Sequence, residues 1–452
     1  MTGVSVDRTA PPPASRRRAF AFPDFEVGSR SGIDLYLLPR RTLPLAHLEL
    51  VVAHGADGEP AHARGLATLA AGLLDEGTAR RTSQEIAAAA EALGSEVQAN
   101  ADWDGTYLEI TVRSEHVAAG LELLFELLSE ATFPEVEVER LKRRRLAELR
   151  RRSTHPDFLA AREMLHSLYA DHVYGESLLG VAPSVAALDR DDVAAWYGQR
   201  LRPAPTSLLI TGHFDRAEVI ELVGRAERGQ GRSTIVDPPA VDRRSGRSIR
   251  VVDRPQAGQT ELRIGHPGIS RAHPDRVVTQ VLNCVLGGKF TSRLNLSLRE
   301  RLGITYGAWS RFSSRRGPGP FVAGAAVDNG AAGLAAREIL LEMDRLRREP
   351  VPADELGDAK TYLIGTFPYS LQALDGLAGR LEDLTLHPAL ARDTLQRWPA
   401  EVDAVEREAV LRAAEAHLHP LDATIVAVGP AREIAPQLSD LGPVEVVPTV
   451  PS

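Results

Sequence analysis

The 452-residue chain has one cysteine, Cys284, which rules out an intramolecular disulfide and any thiolate-rich zinc centre. A lone thiol fits a reducing compartment. No run of about 20 apolar residues occurs, so a membrane-spanning helix is not expected. The opening residues, MTGVSVDRTAPPPASRRRAFAF, lack the apolar stretch of a signal peptide, and their Pro and Arg content predicts a disordered arm over 1–22. The chain therefore reads as cytoplasmic. A basic excess is also missing. The formal net charge is -8, which argues against nucleic-acid binding. Neither helical zinc motif, H-x-x-E-H or H-E-x-x-H, is present.

What remains is the composition of a soluble globular protein, 43% hydrophobic and 25% charged, long enough for two domains. Residues 33–53 carry two alternating apolar runs and predict two strands. A helix rich in small residues is predicted over Gly65 to Asp75, ended by the Gly77-Thr78 turn, and a second follows from Thr82 to Leu93 behind a Thr82/Glu85 capping box. Residues 107–113 alternate as a strand, and helices are predicted over Val117 to Ser129 and Glu135 to Arg152. The Gly-, Pro- and Arg-rich stretch 226–247 reads as a linker. After it, strands at Ser248 to Val252 and Thr260 to Gly265 lead to a helix near Asp275 to Leu286, then more strands and two helices. AAGLELLFELLSEATFPEVEVERLK from Ala118 is echoed by AAGLAAREILLEMDRLRREPVPADELGDAK from Ala331. The expected architecture is thus α+β and duplicated. Two homologous domains, 23–225 and 248–447, each carry a mostly antiparallel sheet with helices on one face.

The runs GLATLAAGLLDEGT and ALGSEVQANADWDGTYLEITV resemble the first domain of the pitrilysin-like zinc peptidases, which include insulin-degrading enzyme and mitochondrial processing peptidase. In that family an inverted motif, H-x-x-E-H, binds zinc on one helical face and a downstream Glu completes the site. The resemblance places Thr68 and Gly72 where the histidines belong, Ala71 where the general base belongs, and Glu148 at the third ligand. A hydroxyl, a methyl and a bare backbone cannot hold the ion, so no metal is expected in this chain. Glu148 can equally be a solvated residue paired with a neighbouring arginine. His47, His54 and His62 are scattered and read as non-ligands. His417 and His419 form an H-x-H at a helix end with no acidic partner in register. Cys284 reads as a buried small hydrophobe.

LGGKFTSRLNLSLRERLGITYGAWS, from Leu286 to Ser310, resembles the family's C-terminal signature, in which an Arg and a Tyr seven residues apart stabilise the oxyanion at the zinc site. Here they are Arg299 and Tyr306. The resemblance implies a non-catalytic subunit that lends this pair to a homologous H-x-x-E-H partner, which would hold the zinc. Together the two would act on peptides or unfolded segments bound at a sheet edge. A homodimer is possible for the chain in isolation. The alternatives are a structural core subunit, or a peptide-binding maturation chaperone with no part in catalysis.

Overall fold

The computed structural model describes residues 20–225, 238, 240–241 and 245–448. Strands of the first half are β1 (Glu26–Arg30), β2 (Ile33–Pro39), β3 (Leu45–Val52), β4 (Gln98–Ala101), β5 (Thr106–Arg113) and β6 (Thr206–Gly212). Its helices are α1 (Leu66–Ala71), α2 (Ser83–Ala92), α3 (Val117–Glu130), α4 (Glu135–Arg152), α5 (Pro156–Tyr169), α6 (Ala182–Ala187), α7 (Arg190–Trp196) and α8 (Arg216–Arg225). The second half has β7 (Ser248–Asp253), β8 (Gln259–Pro267), β9 (Thr305–Phe312), β10 (Pro320–Asp328), β11 (Thr424–Gly429) and β12 (Val444–Val447). Its helices are α9 (Arg276–Leu286), α10 (Ala332–Arg348), α11 (Ala353–Thr366), α12 (Leu374–Leu386), α13 (Thr394–Asp403), α14 (Arg407–His417) and α15 (Ala431–Leu438). Among the described residues no helix is long and apolar enough to cross a membrane.

Local chemistry explains the elements the sequence announces. The capping box closes as expected, with Thr82 Oγ1 accepting from Glu85 N and Glu85 Oε2 accepting from Thr82 N. The small-residue helix is shorter than expected. It ends at Ala71, Gly72 caps it, and Leu73 and Leu74 continue in tight turns to Ala70 O and Ala71 O. Glycine adds backbone entropy and contributes no side-chain packing, which favours termination there.

The two strands in 33–53 are not neighbours. β6 lies between them, parallel to β2 and antiparallel to β3, in a sheet of order β1-β2-β6-β3-β5-β4. The second sheet runs β12-β7-β11-β8-β10-β9, with β11 parallel to β7 and antiparallel to β8. Five strands correspond in position and direction, so the repeated sequence is a repeated topology. Both sheets are mostly antiparallel, and the fold is the two-domain α+β arrangement expected.

Each sheet packs its own helices on one face: Leu48 of β3 abuts Gly120 of α3 so closely that an added Cβ would sit 2.8 Å from it. The opposite face is covered by a helix from the other half. Met164 of α5 lies over Gly265 of β8, and Leu159, Met164 and Leu168 share a core with Val322, Val426 and Val428. Reciprocally, α12 packs Leu377, Leu381 and Leu384 on Leu38, Val51 and Leu209, and Leu374 O accepts from Thr211 Oγ1 at 2.8 Å. Most of the linker, and residues 1–19 of the arm, lie outside the described residues. Of the residues expected in the arm, Phe22 is buried against this exchanged core and Phe20 meets Phe367 edge-on.

Candidate functional site

Gly65 caps the start of α1; its φ of 95°, and the Leu179 O that an added Cβ would meet at 2.7 Å, leave no room for a side chain. Glu59 binds the helix start, accepting from Gly65 N at 3.0 Å and Ala67 N at 2.6 Å. Burial raises the Glu59 pKa to about 7, against the pull of those N–H groups, Arg64 and Arg145. Ala71 is fully buried.

α4 crosses this short helix with Leu141, Arg145 and Glu148, which share one helical face. Leu141 fills the space beside Gly72, where a Cβ would meet its Cδ2 at 3.4 Å. Arg145 Nη1 donates to Thr68 Oγ1 at 2.8 Å, while Thr68 Oγ1 donates to Leu178 O at 2.8 Å. Glu148 is engaged by Arg152 at 2.8 Å and approached by Arg145 at 4.0 Å. Arg145 thus links two of the four positions implied by the resemblance, Thr68 and Glu148, and the chemistry of the four does not fit zinc. The hydroxyl is committed at both ends, two positions offer no donor, and the carboxylate faces arginines. The cation that contacts Thr68 is the Arg145 guanidinium. Burial lowers the Arg145 pKa, and Glu148 and Glu59 oppose it only in part.

Arg299 lies in a π-helical segment, Asn295–Arg301, and Tyr306 on β9. Gly303 makes the turn between them with φ +65°, and its N–H donates to Arg299 O at 3.1 Å. The Arg299 guanidinium stacks on Phe290 at 4.1 Å, with Glu300 at 3.6 Å from Nε. Its Nη1 is buried without a hydrogen-bond acceptor. Tyr306 is 92% exposed. Among the described residues no hydrogen bond, ion pair or ring contact joins Arg299 or Tyr306 to the α1–α4 positions. The outer edge of β9 is already occupied: Asn295 bonds both Ala308 N and Ala308 O, and Ser310 N donates to Gly287 O. A peptide strand cannot pair at Ala308 and Ser310 without displacing these bonds. β4 pairs only with β5, and no described backbone group reaches its other side at Gln98–Asn100.

The scattered histidines behave as structural groups. His47 bonds Thr111 at 2.9 Å, and His54 packs on Trp196 with centroids 5.0 Å apart. Burial lowers both to about 4. Burial pushes the Cys284 thiol up to about 11. One expectation is corrected. His417 does have an acidic partner, because its Nε2 lies 2.7 Å from Asp275 Oδ2, whereas His419 turns to His266. The partner is 142 residues away, beyond the reach of any local pattern.

Comparison with known families places this geometry. The model described as insulinase, peptidase family M16, matches residues 37–181, and that described as peptidase M16 inactive domain matches 187–363, together well over half of the chain. The chain belongs to the M16 family. This M16 protein is 25% identical over 360 residues to an uncharacterized zinc protease of Streptomyces coelicolor, across 75% of this chain and 77% of that protein. It superposes on a peptidase M16 inactive domain from Pseudomonas fluorescens with a TM-score of 0.82 and 25% identity, covering 90% of this chain and 98% of that one. The fold also matches a chain of complex III2 from Candida albicans, with a TM-score of 0.76 at 14% identity over 93% of this chain and all of that one.

Proposed function

We propose that this M16 protein is the non-catalytic subunit of a two-chain peptidase, lending Arg299 and Tyr306 to the zinc site of an H-x-x-E-H partner. The observation that carries the reading is the pairing of opposites. The α1–α4 positions are closed by Arg145 and Leu141, while Arg299 keeps a buried donor without an acceptor and Tyr306 presents its phenol to solvent. Peptide-bond hydrolysis develops negative charge on the carbonyl oxygen, and these donors suit it. An extended peptide or unfolded segment would bind by strand addition at β4, whose outer edge is open.

The test is reconstitution. The chain alone cleaves nothing, and adding it to the zinc-bearing partner raises peptide turnover. Arg299→Ala lowers kcat about 100-fold and Tyr306→Phe about tenfold, as expected for oxyanion donors. Unchanged turnover in both variants, with the complex intact, favours instead a scaffold role, for which the likeness to the complex III2 chain is the supporting observation. Peptide binding without any partner-dependent cleavage would favour a chaperone.

A further inference from the structure

The group His273, Asp275 and His417 stands apart from the α1–α4 region, in the other half of the chain. His273 and Asp275 sit in the loop that opens α9, and His417 is the last residue of α14. One ligand atom from each lies within 4.8 Å of the others, and all three are half-buried. The two imidazole rings meet edge to face at 5.0 Å. Among the described residues no other group of three such side chains is this close.

We propose that His273, Asp275 and His417 form a site for a divalent transition ion of the zinc class, tying the start of α9 to the end of α14. Two imidazoles and one carboxylate are borderline donors, suited to Zn2+, Ni2+ or Cu2+ and poorly suited to Mg2+ or Ca2+. Partial exposure gives the ion a route in and leaves coordination positions for water.

Binding exchanges existing bonds for ligand bonds. The ion replaces the hydrogen bond between His417 Nε2 and Asp275 Oδ2. Asp275 N also donates to His273 Nδ1 at 3.1 Å, and that bond is given up whichever nitrogen ligates. An ion at Nδ1 displaces it, and an ion at Nε2 leaves the ring proton on Nδ1. The site therefore binds less tightly than a preformed one, and it has no dependence on the peptidase reading.

The full-length chain, stripped with a chelator and dialysed, is titrated with Zn2+ by calorimetry and with Co2+ by absorption. One Zn2+ per chain is expected, with Co2+ ligand-field bands and a Zn2+-dependent rise in Tm. Asp275→Asn and His417→Gln should each weaken Zn2+ binding about tenfold or more, and His273→Ala/His417→Ala should abolish it. Melting in chelator separates loss of the site from loss of fold, and the conservative Asp275→Asn stands as the second reading if a histidine variant does not fold. Equal Zn2+ uptake by wild type and Asp275→Asn overturns the proposal. So does binding that survives the double variant but is lost in Glu148→Gln.

Discussion

At the scale of single residues, Glu59 shows burial and hydrogen bonding opposed in one carboxyl group. Two N–H donors and two guanidinium groups favour the charged form, yet desolvation prevails and the folded pKa rises to about 7 from 4.5. A raised acid gives stability that is fully present below its unfolded pKa and disappears as pH climbs through the folded one. Wild type should therefore lose ground to Glu59→Gln, which does not titrate, as pH goes from 4.5 to 7.5. The relative change is on the order of 3 kcal/mol over that window. Thermal melts of both proteins at pH 4.5, 6 and 7.5 read it directly. A constant difference across the range would show that Glu59 stays ionised in the fold.

At the scale of elements, the sequence revealed α2, α3, α4 and α9 within a residue or two at each end, because each carries helical periodicity or a cap in its own residues. The absence of a zinc motif was equally plain, since donor chemistry is a property of side-chain identity. What fills the space around those positions was hidden. That Arg145 would reach Thr68, 77 positions earlier, and Leu141 would lie over Gly72, depends on how α4 crosses α1, which no local pattern encodes. The Asp275–His417 pair and the insertion of β6 between β2 and β3 were hidden for the same reason. The α1–α4 contact is also a barrier to re-engineering. Gly72→His improves helix propensity slightly but forces an imidazole into Leu141, and overpacking outweighs propensity. We expect a loss of about 1–3 kcal/mol, partly recovered by adding Leu141→Ala. A double-mutant cycle by thermal denaturation measures the coupling, and simple additivity would mean that Leu141 yields freely.

At the scale of the whole molecule, the exchange of α5 and α12 means that neither half covers both faces of its own sheet, so the two fold as one unit. One side chain adds a charged lock to this apolar exchange. Arg316, in the β9–β10 loop, places Nη1 2.6 Å from Asp57 Oδ2, donates from Nη2 to Asp104 O at 2.8 Å, and gives its backbone N–H to Asp104 Oδ2 at 2.8 Å. The Arg316 and Asp57 side chains are 6% and 5% exposed. Burial holds Asp57 at about 7 and Asp104 at about 6 even with the guanidinium nearby. Removing the cation leaves two desolvated carboxyls, with Arg315 and His387 still beside Asp104, and favours their protonated forms. Arg316→Ala should therefore destabilise the protein by about 3–5 kcal/mol at pH 8, where the unfolded chain's acids are ionised and folding must bury them uncompensated or protonate them. At pH 5.5 both acids can hold a proton in the fold and the penalty shrinks, because pKa values raised further by the mutation give stability only on the acid side. Melting wild type and variant at the two pH values decides it. An equal penalty at both would mean that the lock works by shape and not by charge.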